Sequence, residues 1–158
     1  MLLAKELDLD QNVTYGEIEK KLSVMGADAL IESLKKIKNG KAKFINQVDS
    51  EATYAKKIHK TETKINWSLD ANKVIRHIHG LSPNPGAWFE YENERFKVLR
   101  ANKSLGTGKP GSVLDENLTI ACKSDSVQIL EIQRQGKNKQ TSKDFLLGKK
   151  ISKGSILT

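Results

Sequence analysis

The side chains of this sequence that could do acid–base, metal or nucleophilic chemistry are few, and they are not spaced for it. His77 and His79 stand two residues apart in a segment of helical periodicity, about 200° around the axis, so they cannot chelate one ion. His59 has no carboxylate or cysteine at ligand spacing, and the single cysteine, Cys122, lies in the apolar run LTIAC. A thiol in such a run is typical of a small core residue. We therefore expect no catalytic residue and no metal site in this chain.

A phosphate-binding loop is a second candidate, in the stretch GTGKPG at residues 106–111. It lacks the GxxxxGK[ST] spacing, and no helical pattern follows whose N-terminus could bind a phosphate. Lys109-Pro110-Gly111 is more simply interpreted as a turn.

Basic side chains are numerous and unevenly distributed. Residues 1–50 hold eight lysines and eight acidic residues, whereas residues 51–158 hold nineteen basic and eleven acidic ones. The net charge of +8 therefore belongs entirely to the second part of the chain, and it is densest in residues 56–64 and 133–153. Such an excess favours a polyanion such as a nucleic acid, bound mainly through its phosphates. A solvated surface that only maintains solubility is the competing interpretation.

The N-terminal part of the chain has the pattern of a helix. Thr14 and Glu17 have the spacing of a capping box, and apolar residues at intervals of three and four continue as far as Asn39-Gly40. We expect Gly26 to interrupt this pattern, giving two short helices or one kinked helix. These helices cannot form a core alone, so their apolar stripe would pack against the rest of a larger unit.

Residues 41–66 are polar, rich in lysine and weakly periodic, which is typical of an extended linker. The stretch SLDANKVIRHIHGL then predicts a helix whose apolar stripe is Ala71, Val74, Ile75 and Ile78. The proline pair in LSPNPGAW should end this helix. We expect Trp88, which follows, to be a packing residue, with stacking on a nucleotide as the alternative.

After residue 87 the apolar period changes from 3.6 to 2. Residues 88–99 predict a hairpin with its turn at 92–94, and SVLDE, LTIAC and SVQILEIQ predict three further short strands. Short strands at this spacing favour a small antiparallel barrel or sandwich. Residues 133–158 form a basic tail.

An ordered series of motifs resembles the methionyl-tRNA formyltransferase family. TYAKKIHKTETKINW, NPGAW, PGSVL, LTIAC and the closing GKNKQTSKDFLLGKKISKGSIL are similar to its linker and C-terminal domain, and residues 1–43 resemble the last strand and helices of its formyltransferase domain. The resemblance covers essentially the whole chain. It implies an α+β, mostly β fold: an OB-like antiparallel barrel at 67–158, a lysine-rich linker at 46–66, and at 1–45 the remnant of a truncated Rossmann-like domain.

The resemblance also implies a function. Family members transfer a formyl group from 10-formyltetrahydrofolate to methionyl initiator tRNA in translation initiation. The family's catalytic Asn, His and Asp would lie before Met1, which would then be an internal or alternative start. We expect this chain to bind no cofactor, to be inactive alone, to be cytoplasmic, and to need the missing catalytic domain as its partner.

Candidate tRNA-binding residues follow in part from the resemblance. Lysines 56, 57, 60 and 64 occupy its linker pattern, and Lys137 matches its closing GK motif; charge alone adds lysines 139, 143, 149 and 150. These residues are Lys56, Lys57, Lys60, Lys64, Lys137, Lys139, Lys143, Lys149 and Lys150. Asn66 departs from the family's usual acid, and Lys139-Gln140 from its usual Pro-Met pair.

Two other functions stay open. The chain could be the C-terminal domain of a sugar-nucleotide formyltransferase or of a formyltetrahydrofolate hydrolase, where the basic surface would be incidental. It could also be a free-standing OB-type nucleic-acid-binding module with no catalytic partner.

Overall fold

A computed structural model describes residues 1–158. Their contacts divide into two compact units, one of residues 1–13 and 17–57 and the other of residues 14–16 and 58–158. None of the helices combines the length and apolarity that a bilayer crossing requires. The regular elements are α1 (Tyr15–Lys38), α2 (Ala71–Leu81), β1 (Ala87–Tyr91), β2 (Glu94–Ser104), β3 (Thr119–Ala121), β4 (Ser126–Arg134), β5 (Lys139–Thr141) and α3 (Ser142–Gly148), with 3₁₀ turns at Asp49–Glu51 and Lys60–Thr63.

The first unit consists mainly of α1. This helix begins directly after Thr14, as predicted, but it runs without a break through Gly26, so the predicted interruption is wrong. A lone glycine costs a helix about 1 kcal/mol relative to alanine, and the good helix formers around it outweigh that cost. No residue of α1 is buried. Residues 1–14 form no strand, so a remnant of a Rossmann-like domain is not confirmed.

Helix α2 opens the second unit, and its predicted stripe is confirmed. Ala71, Val74, Ile75 and Ile78 are all buried. Asp70 stands at the N-cap, but its carboxylate accepts a hydrogen bond from the Ser124 hydroxyl (2.7 Å) rather than from the helix backbone.

The five strands form one antiparallel sheet in which the order of four is β1-β2-β4-β3. The fifth strand, β5, pairs with the same edge of β4 as β3 does, but at residues 131–133 instead of 126–128. β1 and β3 do not pair with each other, so these strands leave the sheet open and a closed OB-like barrel is not confirmed. The predicted strand in SVLDE is reduced to isolated bridges at Ser112 and Val113.

Two elements of the basic tail were not predicted. β5 has only three residues, all exposed, and therefore lacks an apolar alternation. α3 did carry a signal: Thr141 stands at its N-cap and accepts a hydrogen bond from the Asp144 backbone N–H (3.1 Å). A Thr followed three residues later by an acidic residue is a known helix-start pattern.

The predicted hairpin is confirmed as β1 and β2. Glu92 and Asn93 have positive φ angles of 51° and 62°, which is the backbone of a two-residue type I′ turn. β2 continues to Ser104, five residues beyond the prediction, because it also pairs with β4 along most of its length.

Aromatic rings form the centre of the core of the second unit. Phe89 and Phe96 are fully buried and stack at 5.4 Å between centroids. Trp67 lies 6.2 Å from Phe89, and Phe145 of α3 lies 5.6 Å from Phe96. Because strand side chains alternate, the neighbours of Phe89 and Phe96 in sequence point to the opposite face of the sheet.

Candidate nucleic-acid interface

The outer face of the sheet carries a row of polar side chains across four strands. Trp88 of β1 is opposite Lys97 of β2, Lys97 is opposite Gln133 of β4, and Gln133 is opposite Lys139 of β5. Residues in direct register share a face, and so do residues two apart on one strand. Arg95 therefore joins Lys97 on this face, and two cations of β2 stand beside one indole.

At the β1 end of this row lies a groove of about 470 Å³, which we call the Trp88 groove. Four of its side chains are cationic, those of Lys60, Arg95, Lys97 and Arg134, and none is a carboxylate. Arg134 is paired with Glu94, whereas Lys60, Arg95 and Lys97 form no ion pair, and clustered uncompensated charges raise the local positive potential and attract polyanions. The lining residues are Lys60, Thr63, Pro85, Gly86, Trp88, Arg95, Lys97, Gln133, Arg134, Gln135 and Gly136.

Hydrogen bonds attach the lysine-bearing segment at residues 60–65 to β1. The indole Nε1 of Trp88 donates to Thr63 Oγ1 (2.9 Å), and the Thr63 hydroxyl donates to the Lys60 carbonyl (2.7 Å). The Ile65 backbone N–H donates to the Trp88 carbonyl (2.8 Å). Two of the predicted lysines, at 60 and 64, are thereby brought to the edge of the sheet.

Trp88 is half-buried on the edge strand β1 and does not belong to the core cluster. The Arg95 Cζ lies 4.2 Å and the Lys64 Nζ lies 5.4 Å from its ring centroid. Cations at such distances are attracted by the negative face of an aromatic ring. The indole ring is thus in cation–π contact with Arg95 and Lys64.

Several cations of the predicted tail face carboxylates. Lys139 Nζ is 3.4 Å from Glu131, and Lys149 Nζ lies 3.0 Å from Glu92 and 3.4 Å from Glu94. Hydrogen bonding to Glu92 is the largest of the causes that raise the pKa of Lys149. A phosphate approaching Lys139 or Lys149 would have to compete with these acids. Arg134, although it lines the Trp88 groove, donates to Glu94 as well.

The structure does not gather the nine predicted lysines into one site. Lys56 and Lys57 belong to the first unit, and Lys137, Lys143 and Lys150 are exposed in the β4–β5 turn, on α3 and just after α3. The arginines and the lysine that the strands bring to the groove were not predicted from the sequence. The alternation in Arg95-Phe96-Lys97, with an apolar residue between two cations, was the available signal.

Gly86 lines the groove at a position where a side chain would be crowded. Its φ is +86°, and an added Cβ would lie 2.8 Å from Cδ of Lys97 and 3.2 Å from the Pro83 carbonyl oxygen. We expect Gly86→Ala to lower the free energy of unfolding by roughly 1–2 kcal/mol, since a side chain at positive φ costs about that much. Urea denaturation measures the change.

The matched control is Gly80→Ala in α2, where a Cβ would meet nothing within 4 Å. This change should leave stability equal or raise it by about 0.5–1 kcal/mol, the helix preference of alanine. Equal losses in the two variants would contradict the role assigned to Gly86.

The environments of His77, His79 and Cys122 are those of residues with a structural role. The buried His79 accepts a hydrogen bond at Nε2 from the Ala101 N–H (3.3 Å), and burial lowers the pKa of His77. Burial raises the pKa of the Cys122 thiol to about 11, so it is an inert thiol at neutral pH. The chain contains no group of three or more His, Cys, Asp or Glu side chains that could hold a metal ion.

The predicted turn in GTGKPG is confirmed. The Ser112 N–H donates to the Lys109 carbonyl (2.9 Å), which is the bond that closes a four-residue β-turn. No helix follows it, because the next regular element is the strand β3.

A family model and the curated relatives that match this chain both concern formyltransferases. Residues 57–150 match the model of the family described as formyl transferase, C-terminal domain. A methionyl-tRNA formyltransferase of Bradyrhizobium diazoefficiens is 40% identical over 99% of this chain and 51% of its own length. Those of Rhodopseudomonas palustris and of a Chelativorans species are 39% and 38% identical, over 92% and 99% of this chain. The chain spans about half the length of the curated relatives it matches.

Solved structures of similar fold include HypX from Aquifex aeolicus. One variant superposes with a TM-score of 0.68 at 21% identity, over 89% of this chain and 27% of HypX. HypX in complex with tetrahydrofolic acid gives a TM-score of 0.61 at 22% identity, over 83% of this chain and 26% of HypX. At this identity the likeness concerns the fold.

Proposed function

Because the chain belongs to the formyl transferase C-terminal domain family, we propose that it is the tRNA-binding part of a methionyl-tRNA formyltransferase. The complete enzyme would transfer a formyl group from 10-formyltetrahydrofolate to the amino group of methionyl initiator tRNA. The single observation that carries the RNA-binding role is the Trp88 groove, with four cations and no carboxylate in its lining.

The contribution of this chain to the reaction is positional. Cations of the groove would neutralise phosphates of the tRNA and release their counterions. The bound tRNA would then present its aminoacyl amine to the formyl donor, which converts an encounter of two molecules into a reaction within one complex. Each phosphate contact should add to affinity without reading the base sequence.

We place no folate site in the groove. Its lining contains neutral acceptors, the amides of Gln133 and Gln135, but no carboxylate to pair with the N–H donors of a pterin ring. No step of formyl transfer is therefore assigned to the residues of this chain.

We also infer that the second unit has an OB-like arrangement completed by its C-terminal residues. Glu90 of β1 exchanges two backbone hydrogen bonds with Thr158, and Leu157 donates to the Gly111 carbonyl (2.8 Å). Gly111 in turn donates to the Ala121 carbonyl of β3 (2.9 Å). These short contacts lie between the two end strands of the sheet and support a barrel-like closure there.

Salt-titrated binding tests the RNA-binding role. We expect the 158-residue chain to bind initiator tRNA with an affinity that falls linearly with salt on logarithmic axes. Fluorescence anisotropy of labelled tRNA at several potassium chloride concentrations measures it. Absence of binding at low salt, or an affinity independent of salt, would overturn the proposal.

A further inference from the structure

We propose that Trp88 is a positioning residue that joins two separate groups of cations into one preformed phosphate site. One group, Lys60 and Lys64, comes from the segment before α2, and the other, Arg95 and Lys97, comes from β2. The inference rests on the proposed RNA-binding function and assigns to the indole a role in it beyond packing.

The guanidinium of Arg95 is held with its donors available. Its Cζ lies 4.2 Å from the Trp88 ring centroid, and Arg95 is an exposed residue, so the guanidinium contacts the ring while solvent still reaches the side chain. Arg95 is opposite Glu90 in the β1–β2 register, yet the two side chains form no ion pair. A planar fork of donors in this position suits the oxygens of a phosphate.

The same indole holds the other group of cations. Its N–H bond to Thr63, and the bond from Thr63 to the Lys60 carbonyl, fix the 3₁₀ turn that carries Lys60. Lys64 forms a parallel bridge with Trp88 through the backbone, and its Nζ lies 5.4 Å from the ring centroid. Loss of the ring would remove the bond that fixes the turn of Lys60 and the contact with the Lys64 ammonium group, while the backbone bridge of Lys64 to β1 would remain.

Lys97 completes the site from the opposite strand. It is directly opposite Trp88, and its aliphatic stem lies against Gly86, where a Cβ would come within 2.8 Å of its Cδ. Neither Lys60 nor Lys97 forms an ion pair with a carboxylate, so both ammonium groups are available to an anion. Long cationic side chains lose rotamer freedom on binding, and a site that already orders them binds more tightly.

Substitutions at Trp88 and Thr63 test the inference with initiator tRNA as the probe. Trp88→Leu should raise Kd roughly tenfold and flatten the salt slope by about one unit, because the cations no longer act together. Trp88→Phe retains a ring but loses the N–H donor and should fall between wild type and Trp88→Leu. Thr63→Val keeps the shape but removes the acceptor, and should weaken binding about threefold.

Tyr91→Leu is the matched control. Tyr91 is a half-buried aromatic residue of the same strand with a lysine 5.8 Å from its ring centroid, but it does not line the groove. It should leave the salt slope unchanged. Urea denaturation of each variant separates a loss of fold from a loss of positioning, and if Trp88→Leu does not fold, Trp88→Phe and Thr63→Val decide.

Two negative results have different meanings. If Trp88→Leu and Thr63→Val bind tRNA with the wild-type Kd and salt slope while Arg95→Ala weakens binding, the positioning role of Trp88 is overturned and the proposed function stands. If the wild-type chain does not bind tRNA, the proposed function itself fails.

Discussion

Simultaneous replacement of Lys60, Arg95 and Lys97 by alanine is expected to weaken the binding of initiator tRNA at least about 100-fold at about 0.1 M salt. A neutralised phosphate contributes a salt slope of roughly 0.7–0.9, which corresponds to about five- to eightfold in affinity between about 1 M and 0.1 M salt. The affinity factors of three such contacts multiply to more than about 100. The slope itself should fall by about two to three, and both quantities come from one anisotropy titration.

Ion pairing makes the groove a stronger candidate than the tail for the proposed binding surface. Lys60, Arg95 and Lys97 make no ion pair, whereas Lys139 is paired with Glu131, and Lys149 with two acids of the hairpin turn. We therefore expect alanine at Lys137, Lys139 and Lys143 together to reduce affinity less than the groove triple does.

The control for charge alone is alanine at three exposed lysines outside the groove, Lys73, Lys123 and Lys153. This variant has the same net charge as the groove triple but should keep most of the affinity. Equal losses in the groove, tail and control triples would show that only total charge matters and would remove the Trp88 groove from the account of binding.

The largest expected effect on stability is at Phe96. Its side chain is fully buried, it stacks on Phe89, and it meets Phe145 edge-on. Phe96→Ala should lower the free energy of unfolding by about 3–5 kcal/mol, through lost burial and the cavity it leaves. Since domains are stable by only about 5–15 kcal/mol, this loss would leave the second unit close to unfolding. Urea denaturation followed by circular dichroism measures it.

Phe44→Ala is the matched control, because Phe44 is 72% exposed in the first unit. It should change stability by no more than about 0.5 kcal/mol. A similar loss in both variants would contradict the position of Phe96 at the centre of the core.

Elements with a clear period were predictable from the sequence. The stripe of α2 and the β1–β2 hairpin follow from spacings of 3–4 and 2, and the structure has both. The break at Gly26 was wrong because local propensity on either side of a single glycine was sufficient to continue α1. β5 was missed since its pairing with β4, rather than any pattern of its own, makes it a strand.

The groove was predictable only in part. Lys60 and Lys64 follow from the family resemblance, but their proximity to Arg95 depends on the side-chain bond between Trp88 and Thr63, twenty-five residues apart. The ion pairs of Lys139 and Lys149 likewise depend on strand register and on where α3 ends. Contacts of this kind are set by tertiary packing, which the spacing of residues along the chain does not encode.

The most direct test uses the two tryptophans, which give two indole N–H signals in an NMR spectrum of the ¹⁵N-labelled chain. Trp88 lines the groove, and Trp67 is buried in the core. On titration with initiator tRNA at low salt, we expect the Trp88 signal to shift or broaden, the Trp67 signal to stay in place, and high salt to reverse the change. Saturating tRNA that leaves the Trp88 signal unchanged would contradict RNA binding at the Trp88 groove.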